Sequence, residues 1–153
     1  MNNQINLVES LNTSQILVGL DLGTKTLGVA VSDRYKIIAS PLYTIQRNGT
    51  KKDLLKLQEI LNDYEIGGFI VGLPLSLDNS DNQQTQLVRN FNKELITFFK
   101  LPSVFWDERF SSDVIFKEMR KSNMSTNKIK NKLDQQSASY ILQGYLERYR
   151  KNK

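Results

Sequence analysis

Two apolar runs separated by only four residues constrain this chain most. Gln15 to Asp21 (Q-I-L-V-G-L-D) and Thr26 to Ser32 (T-L-G-V-A-V-S) each read as a buried strand, with Leu22-Gly23-Thr24-Lys25 as the tight turn between them. Strands joined this closely pair antiparallel, because a parallel pair needs a crossover of a dozen or more residues. Lys36 to Ile45 has β-branched content and one proline, so a broken third strand is predicted to complete an antiparallel meander.

From Thr50 to Tyr64 the period becomes helical. Leu54, Leu57, Leu61 and Tyr64 recur at three- and four-residue steps, Leu55 and Ile60 widen the stripe, and Gly67-Gly68 reads as the stop. Phe69 to Leu73 is a short buried strand closed by Pro74, and residues 75–82 are a polar loop. A second helix is predicted from Gln83 to Lys100 on the stripe Leu87, Phe91, Leu95 and Phe98, followed by a strand over Ser103 to Asp107. Ser111 or Ser112 caps a third helix, Val114 to Lys121; Asn123 to Asn127 is a loop; the last helix covers Ile129 to Arg150. The order β-β-β-α-β-α-β-α-α predicts an α/β fold with a mixed sheet whose helix-linked strands join by right-handed crossovers. A length of 153 residues without a repeat fits one domain over 15–150, preceded by a loosely ordered leader (1–14) and followed by a basic tail (151–153).

The chain has no cysteine and no histidine. This excludes disulfides, a thiolate nucleophile, a Cys/His zinc site and any imidazole base. A metal must be held by oxygen, which points to magnesium or manganese. No segment approaches the ~20 apolar residues of a membrane span, and the N-terminus lacks the layout of a secretory signal. A cytoplasmic protein without a membrane partner is expected. Charge is uneven: residues 114–153 carry ten Lys or Arg against three acids, while the rest carries 11 basic and 13 acidic residues. A basic quarter of this kind suits a nucleic-acid backbone, slightly ahead of the alternative of a solubilising surface with a basic tail.

Three carboxylates stand where carboxylates are awkward. Asp21 ends the first apolar run, Glu108 follows the apolar strand Val104-Phe105-Trp106, and Asp134 is in register with Ala138, Ile141 and Tyr145 on the core-facing side of the last helix. A carboxylate there is costly unless paired, protonated or metal-bound. Taken singly, each has an ordinary reading. Asp21 can bond its own turn, Glu108 can pair with Arg109 or Lys25, and Asp134 with Lys130. Taken together, they suit a cage for one or two magnesium ions, in which two metals clamp the attacking water and the leaving oxygen of a phosphodiester. Asp33 and Asp78 read as loop residues, and Asp107 and Asp113 as auxiliary acids.

Four segments together resemble a known family. They are Gly19-Leu-Asp-Leu-Gly-Thr-Lys-Thr-Leu-Gly-Val-Ala-Val-Ser-Asp33, Val71-Gly-Leu-Pro-Leu75, Asp107-Glu-Arg-Phe-Ser-Ser112, and Lys132-Leu-Asp-Gln-Gln-Ser-Ala138 with Ile141-Leu-Gln-Gly-Tyr-Leu146. The chain resembles the YqgF/RuvX family, described as pre-16S rRNA nucleases and formerly as Holliday-junction resolvases. The resemblance covers about residues 15–150. It implies an RNase H-like fold with a five-stranded mixed sheet, and a metal-dependent nuclease whose acids match Asp21, Glu108 and Asp134. It also implies a cytoplasmic role in trimming the 5′ end of pre-16S rRNA, with ribosomal particles as further partners. The chain departs from the family pattern at Thr26, where a basic residue is common, at Leu77 and Asn79, where Met and Gly are common, and in the more polar Gln135, Gln136 and Ser139.

The mechanism expected is phosphodiester hydrolysis by metal-activated water, with two Mg2+ or Mn2+ ions. Asp21 bridges both, Glu108 holds one, Asp134 holds the other or orients the attacking water, and Thr24, Lys25 and Arg109 contact the scissile phosphate. Ordinary turn chemistry for Thr24 and Lys25, and an ion pair for Arg109, account for those three equally well. Rival readings are a Holliday-junction-type DNA nuclease, a non-catalytic RNA-binding assembly factor, and an ATP-using enzyme, since Asp-x-Gly-Thr before a hairpin also resembles a phosphate-binding turn.

Overall fold

β1 (Ile16–Leu22) is the central strand of a five-stranded mixed sheet ordered β3-β2-β1-β4-β5 in the computed structural model. The structure describes residues 6–76, 78, 80–108 and 126–150, and within the last segment the side chains of 136–149. β2 (Thr26–Ser32) and β3 (Ala39–Gln46) form the antiparallel meander, while β4 (Ile66–Leu73) and β5 (Ser103–Asp107) run parallel to β1 on its other side. The expected helix at Val114–Lys121, its caps at Ser111 or Ser112, Asp113 and the tail 151–153 lie outside the described residues.

β1 reads as a continuous apolar run because helices cover both faces of the sheet. Val18, Leu20 and Leu22 enter the core beneath α2 (Thr50–Ile60) and α3 (Gln83–Phe99). Leu17 enters the opposite core with Ile70, Val104 and Trp106, beneath the long last helix, here α4 (Thr126–Arg150). That helix buries Ala138, Ile141, Leu142, Tyr145, Leu146 and Tyr149, so the periodicity expected of its inner face is observed. Each fully buried Ile or Leu there contributes about 1.5–3 kcal/mol. The seating is close because β1 offers Gly19: a methyl group there would lie 2.7 Å from both the Ala138 carbonyl and Leu142 Cβ. Gln143 ties the helix to the meander, accepting from Ala39 N (2.8 Å) and donating to the Ile37 carbonyl (3.0 Å).

The N-terminal segment differs from the loose leader expected over 1–14. Leu7–Ser10 forms a helical turn, α1, with Leu7 and Val8 buried and Leu7 N–H donating to the Tyr145 hydroxyl at 2.9 Å. Gly67 and Gly68, read as a helix stop, are strand residues of β4. Side chains of Leu11 and Leu7 and the Pro102 carbonyl occupy the space their Cβ atoms would need, so the glycines serve packing. α2 ends at Ile60, and Leu55 and Tyr64 are exposed. On α3 the buried stripe is Thr85, Val88, Phe91 and Leu95, leaving Leu87 outside. β3 starts at Ala39, later than expected, because Lys36 takes a left-handed φ of 58° in the preceding turn. Thr126 and Asn127, expected in a loop, begin α4.

Candidate active site

Asp21 is the last inward residue of β1 on the α4 side, two positions after Gly19. It pairs across the sheet with Gly28, where a methyl group would lie 3.7 Å from Asp21 Cβ and 3.5 Å from Ala138 Cβ. Glu108 directly follows β5 and shares the parity of Val104 and Trp106, the two buried residues on that face. Its carboxylate crosses over β4 at Gly72, where an added methyl group would be 2.9 Å from Glu108 Cγ and Oε2 and 2.5 Å from Ile141 Cδ1. Asp21 and Glu108 thus approach each other at the carboxyl end of the parallel strands, near Ala138 and Ile141 of α4.

Their proximity is written in the electrostatics. Burial, then the charge of Asp21, then that of Asp107 push the Glu108 carboxyl up to about 8. Both acids are half-buried, so their mutual repulsion is only partly screened by water. Asp134 belongs to α4, one turn before Ala138, and its side chain lies outside the described residues. Among the described residues no group of three acids forms a metal site. Arg109 also lies outside them.

Thr24 and Lys25 are exposed at the tip of the β1–β2 hairpin, closed by Gly23 N–H donating to the Thr26 carbonyl at 2.8 Å. Sequence reasoning missed what holds this tip. Arg47 N–H donates to the Lys25 carbonyl (2.9 Å), and its guanidinium donates to the Gly23 carbonyl (3.3 Å) and to Asp53 Oδ2 (2.7 Å). Asp53, 1% exposed, also accepts from Asn48 N–H at 2.8 Å. From the other side Gln84 Nε2 donates to the Leu22 carbonyl at 3.1 Å. Nothing local marks Arg47: an arginine after a strand and an aspartate in a first helical turn are both routine.

The loop after β4 is anchored by the capping box of α3. Asn82 and Thr85 bond reciprocally, and Thr85 Oγ1 donates to the Pro74 carbonyl at 2.6 Å. Asp81 is matched by Arg89 at 2.7 and 3.0 Å, which holds its carboxyl below the usual range. Asp78 accepts from Ser80 N–H, and Asp33 from Ile37 and Ile38 N–H, so both are loop residues as read from the sequence. At Asp33 burial acts upward, but the backbone donors outweigh it and lower the carboxyl.

The family profile described as "RuvX: Holliday junction resolvase" matches residues 15–148. A protein of Methylocella silvestris named "Putative pre-16S rRNA nuclease" is 41% identical over 137 residues, covering 90% of this chain and 85% of its own. One of the same name from Rhodobacter capsulatus is 42% identical over 132 residues, covering 86% and 83%. Among solved structures, "T. thermophilus RuvC in complex with Holliday junction substrate" superposes with a TM-score of 0.55 at 11% identity, covering 88% of this chain and 95% of that one. That last likeness is one of fold, the RNase H-like arrangement.

Proposed function

The chain belongs to the RuvX family, and from that premise we propose that it is a nuclease, a hydrolase of phosphodiester bonds, acting on the 5′ end of pre-16S rRNA. Asp21, Glu108 and Asp134 are its metal-holding acids, with Mg2+ or Mn2+ bound at two positions. The observation that carries this reading is the approach of Glu108 over Gly72 toward Asp21, where burial first and the charge of Asp21 second push the Glu108 carboxyl up to about 8. The donor set fits such an ion: carboxylate oxygens only, at a sheet end, in a chain without histidine or cysteine.

A divalent ion held there supplies charge neutralisation at the phosphodiester and a lower pKa for the attacking water. The chain's own residues do the rest. Asp21, fixed by the β1–β2 pairing, offers its oxygens toward the α4 side. Glu108 in its ionised form completes the pair. The Ile141 side chain, whose Cδ1 shares the space over Gly72 with Glu108, gives the site an apolar border, which strengthens electrostatics inside it. Thr24 and Lys25 contact the scissile phosphate from the hairpin tip, which Arg47 and Gln84 hold still. Arg109, which follows Glu108 in the sequence, is assigned a further phosphate contact.

The test is cleavage of 5′-labelled pre-16S leader RNA and of a four-way DNA junction, each with Mg2+, Mn2+ or chelator. Metal-dependent cleavage of the RNA, lost in Asp21→Asn, is expected. Preference for the junction would move the substrate to DNA. Wild-type activity in Asp21→Asn would remove the mechanism.

A further inference from the structure

A second surface lies on the other side of the hairpin tip. Between the edge strand β3 and helix α2 runs a groove of about 280 Å³ lined by Tyr43, Gln46, Asn48, Lys52 and Lys56, with Asp53 in its wall. We propose that this groove is a subsite for a single-stranded stretch of the nucleic-acid substrate, with Lys52 and Lys56 on phosphates and Tyr43 beneath a base. The proposal rests on the nuclease reading for its substrate class and adds where that substrate continues.

Position is the first argument. Asp21 pairs with Gly28, and Gly28 with Thr44, which also lines the groove. That row of paired residues spans about 10 Å across three adjacent strands at the usual strand spacing, with Asp21 on the α4 side of the sheet and the groove on the α2 side, so the route between them runs round the end of the sheet. Thr26 pairs with Gln46, so the exposed tip at Thr24–Lys25 lies between the two. A chain contacting Lys25 needs only to pass over the sheet's end to enter the groove.

The lining is the second argument. Tyr43 is 46% exposed on an edge strand, where core packing does not account for it. Lys56 Nζ lies 5.5 Å from its ring centroid, and Lys52 is exposed on the same helix. An aromatic face beside two ammonium groups is the combination that single strands use, a base stacking while phosphates pair with cations. The carboxylates nearby do not cancel this. Asp53 is buried and matched by Arg47 at 2.7 Å, and Glu59 reaches Lys56 only at 3.6 Å from an exposed position.

Binding is measured by fluorescence anisotropy with a labelled single-stranded RNA oligonucleotide in chelator, so that no cleavage occurs. Wild type is compared with Lys52→Gln/Lys56→Gln, with Tyr43→Ala, and with Lys93→Gln/Lys100→Gln, which removes the same charge from α3 and the residue that caps its end. The groove double variant is expected to bind roughly tenfold more weakly, with a salt slope shallower by about 1.4, or about 0.7 per phosphate released. Tyr43→Ala is expected to weaken binding roughly fivefold or more with the slope unchanged. Affinity and slope equal to those of the α3 control, or no RNA binding by wild type, would overturn the proposal, as would preference for an acidic peptide over RNA. Groove-dependent binding in a protein that cleaves nothing overturns the nuclease reading and leaves the subsite. Cleavage of leader RNA with groove-independent binding does the reverse.

Discussion

Gly72 on β4 and Glu108 beyond β5 occupy one space: a methyl group on the glycine would lie 2.9 Å from the glutamate's Cγ and Oε2. The missing side chain on the middle strand is what lets the acid reach toward Asp21. Gly72→Ala is therefore expected to displace Glu108 or Ile141, whose Cδ1 would be 2.5 Å away. Cleavage should collapse and the thermal stabilisation given by divalent metal should vanish, for a stability loss of about 1–3 kcal/mol from overpacking. Melting with and without Mg2+, alongside cleavage, checks this; metal stabilisation at the wild-type level would refute it.

The raised Glu108 carboxyl has a consequence for stability. Its folded value of about 8 lies above its ordinary 4.5, so between those values the folded chain holds a proton that the unfolded chain releases. Stability from this group is complete below the ordinary value and is lost as pH rises toward about 8. Without metal, the melting temperature should fall across that window, and Glu108→Gln should flatten the fall. Metal affinity should rise over the same window, because the ligand must ionise to bind. The observed step belongs to the coupled acids together. Asp33 and Asp81, both lowered, act in the opposite sense at more acidic pH. A flat wild-type profile in chelator would contradict the burial and repulsion inferred for Glu108.

Arg47 and Asp53 make a mostly buried ion pair behind the hairpin tip, with side chains 17% and 1% exposed. Removing the arginine leaves a buried carboxylate without its cation. Arg47→Ala should cost about 3–5 kcal/mol, read by urea unfolding. The double variant Arg47→Ala/Asp53→Ala should recover much of it. Cleavage should stay depressed in the double variant, since the tip at Gly23 and Lys25 has lost its clamp. Full recovery of activity would mean that the clamp does not position the tip.

Tyr145 reports on the N-terminal turn. Its hydroxyl accepts from Leu7 N–H at 2.9 Å, and burial foremost pushes it up to about 12, so it stays un-ionised at neutral pH. Tyr145→Phe should cost about 1–3 kcal/mol by leaving a buried N–H without an acceptor. Amide exchange at Leu7 should accelerate while that of β1 is unchanged. Protection of Leu7 at the wild-type level would show that α1 is held by apolar packing alone.

Elements are legible in this chain where one local signal dominates. The runs around Val18 and Val29 are long, apolar and joined by four residues, so the hairpin follows from chain geometry. Asp21 and Glu108 stand out because a charged group ending an apolar run is costly wherever the run is buried. The periodicity of Ala138, Ile141 and Tyr145 similarly marks the inner face of α4. Gly67-Gly68 misleads because a glycine pair looks the same whether it ends a helix or admits Leu7 and Leu11 against a strand.

What only the tertiary structure decides is which distant groups meet. That Asp21 and Glu108 repel depends on β4 lying between β1 and β5, and on a glycine at the crossing. That Arg47 braces the tip depends on β3 folding back beside β2. Local sequence carries strand, turn and periodicity, because those arise from neighbours along the chain. Charge coupling and close packing arise from neighbours across it, and their energies exist only once the sheet has brought them within a few ångströms.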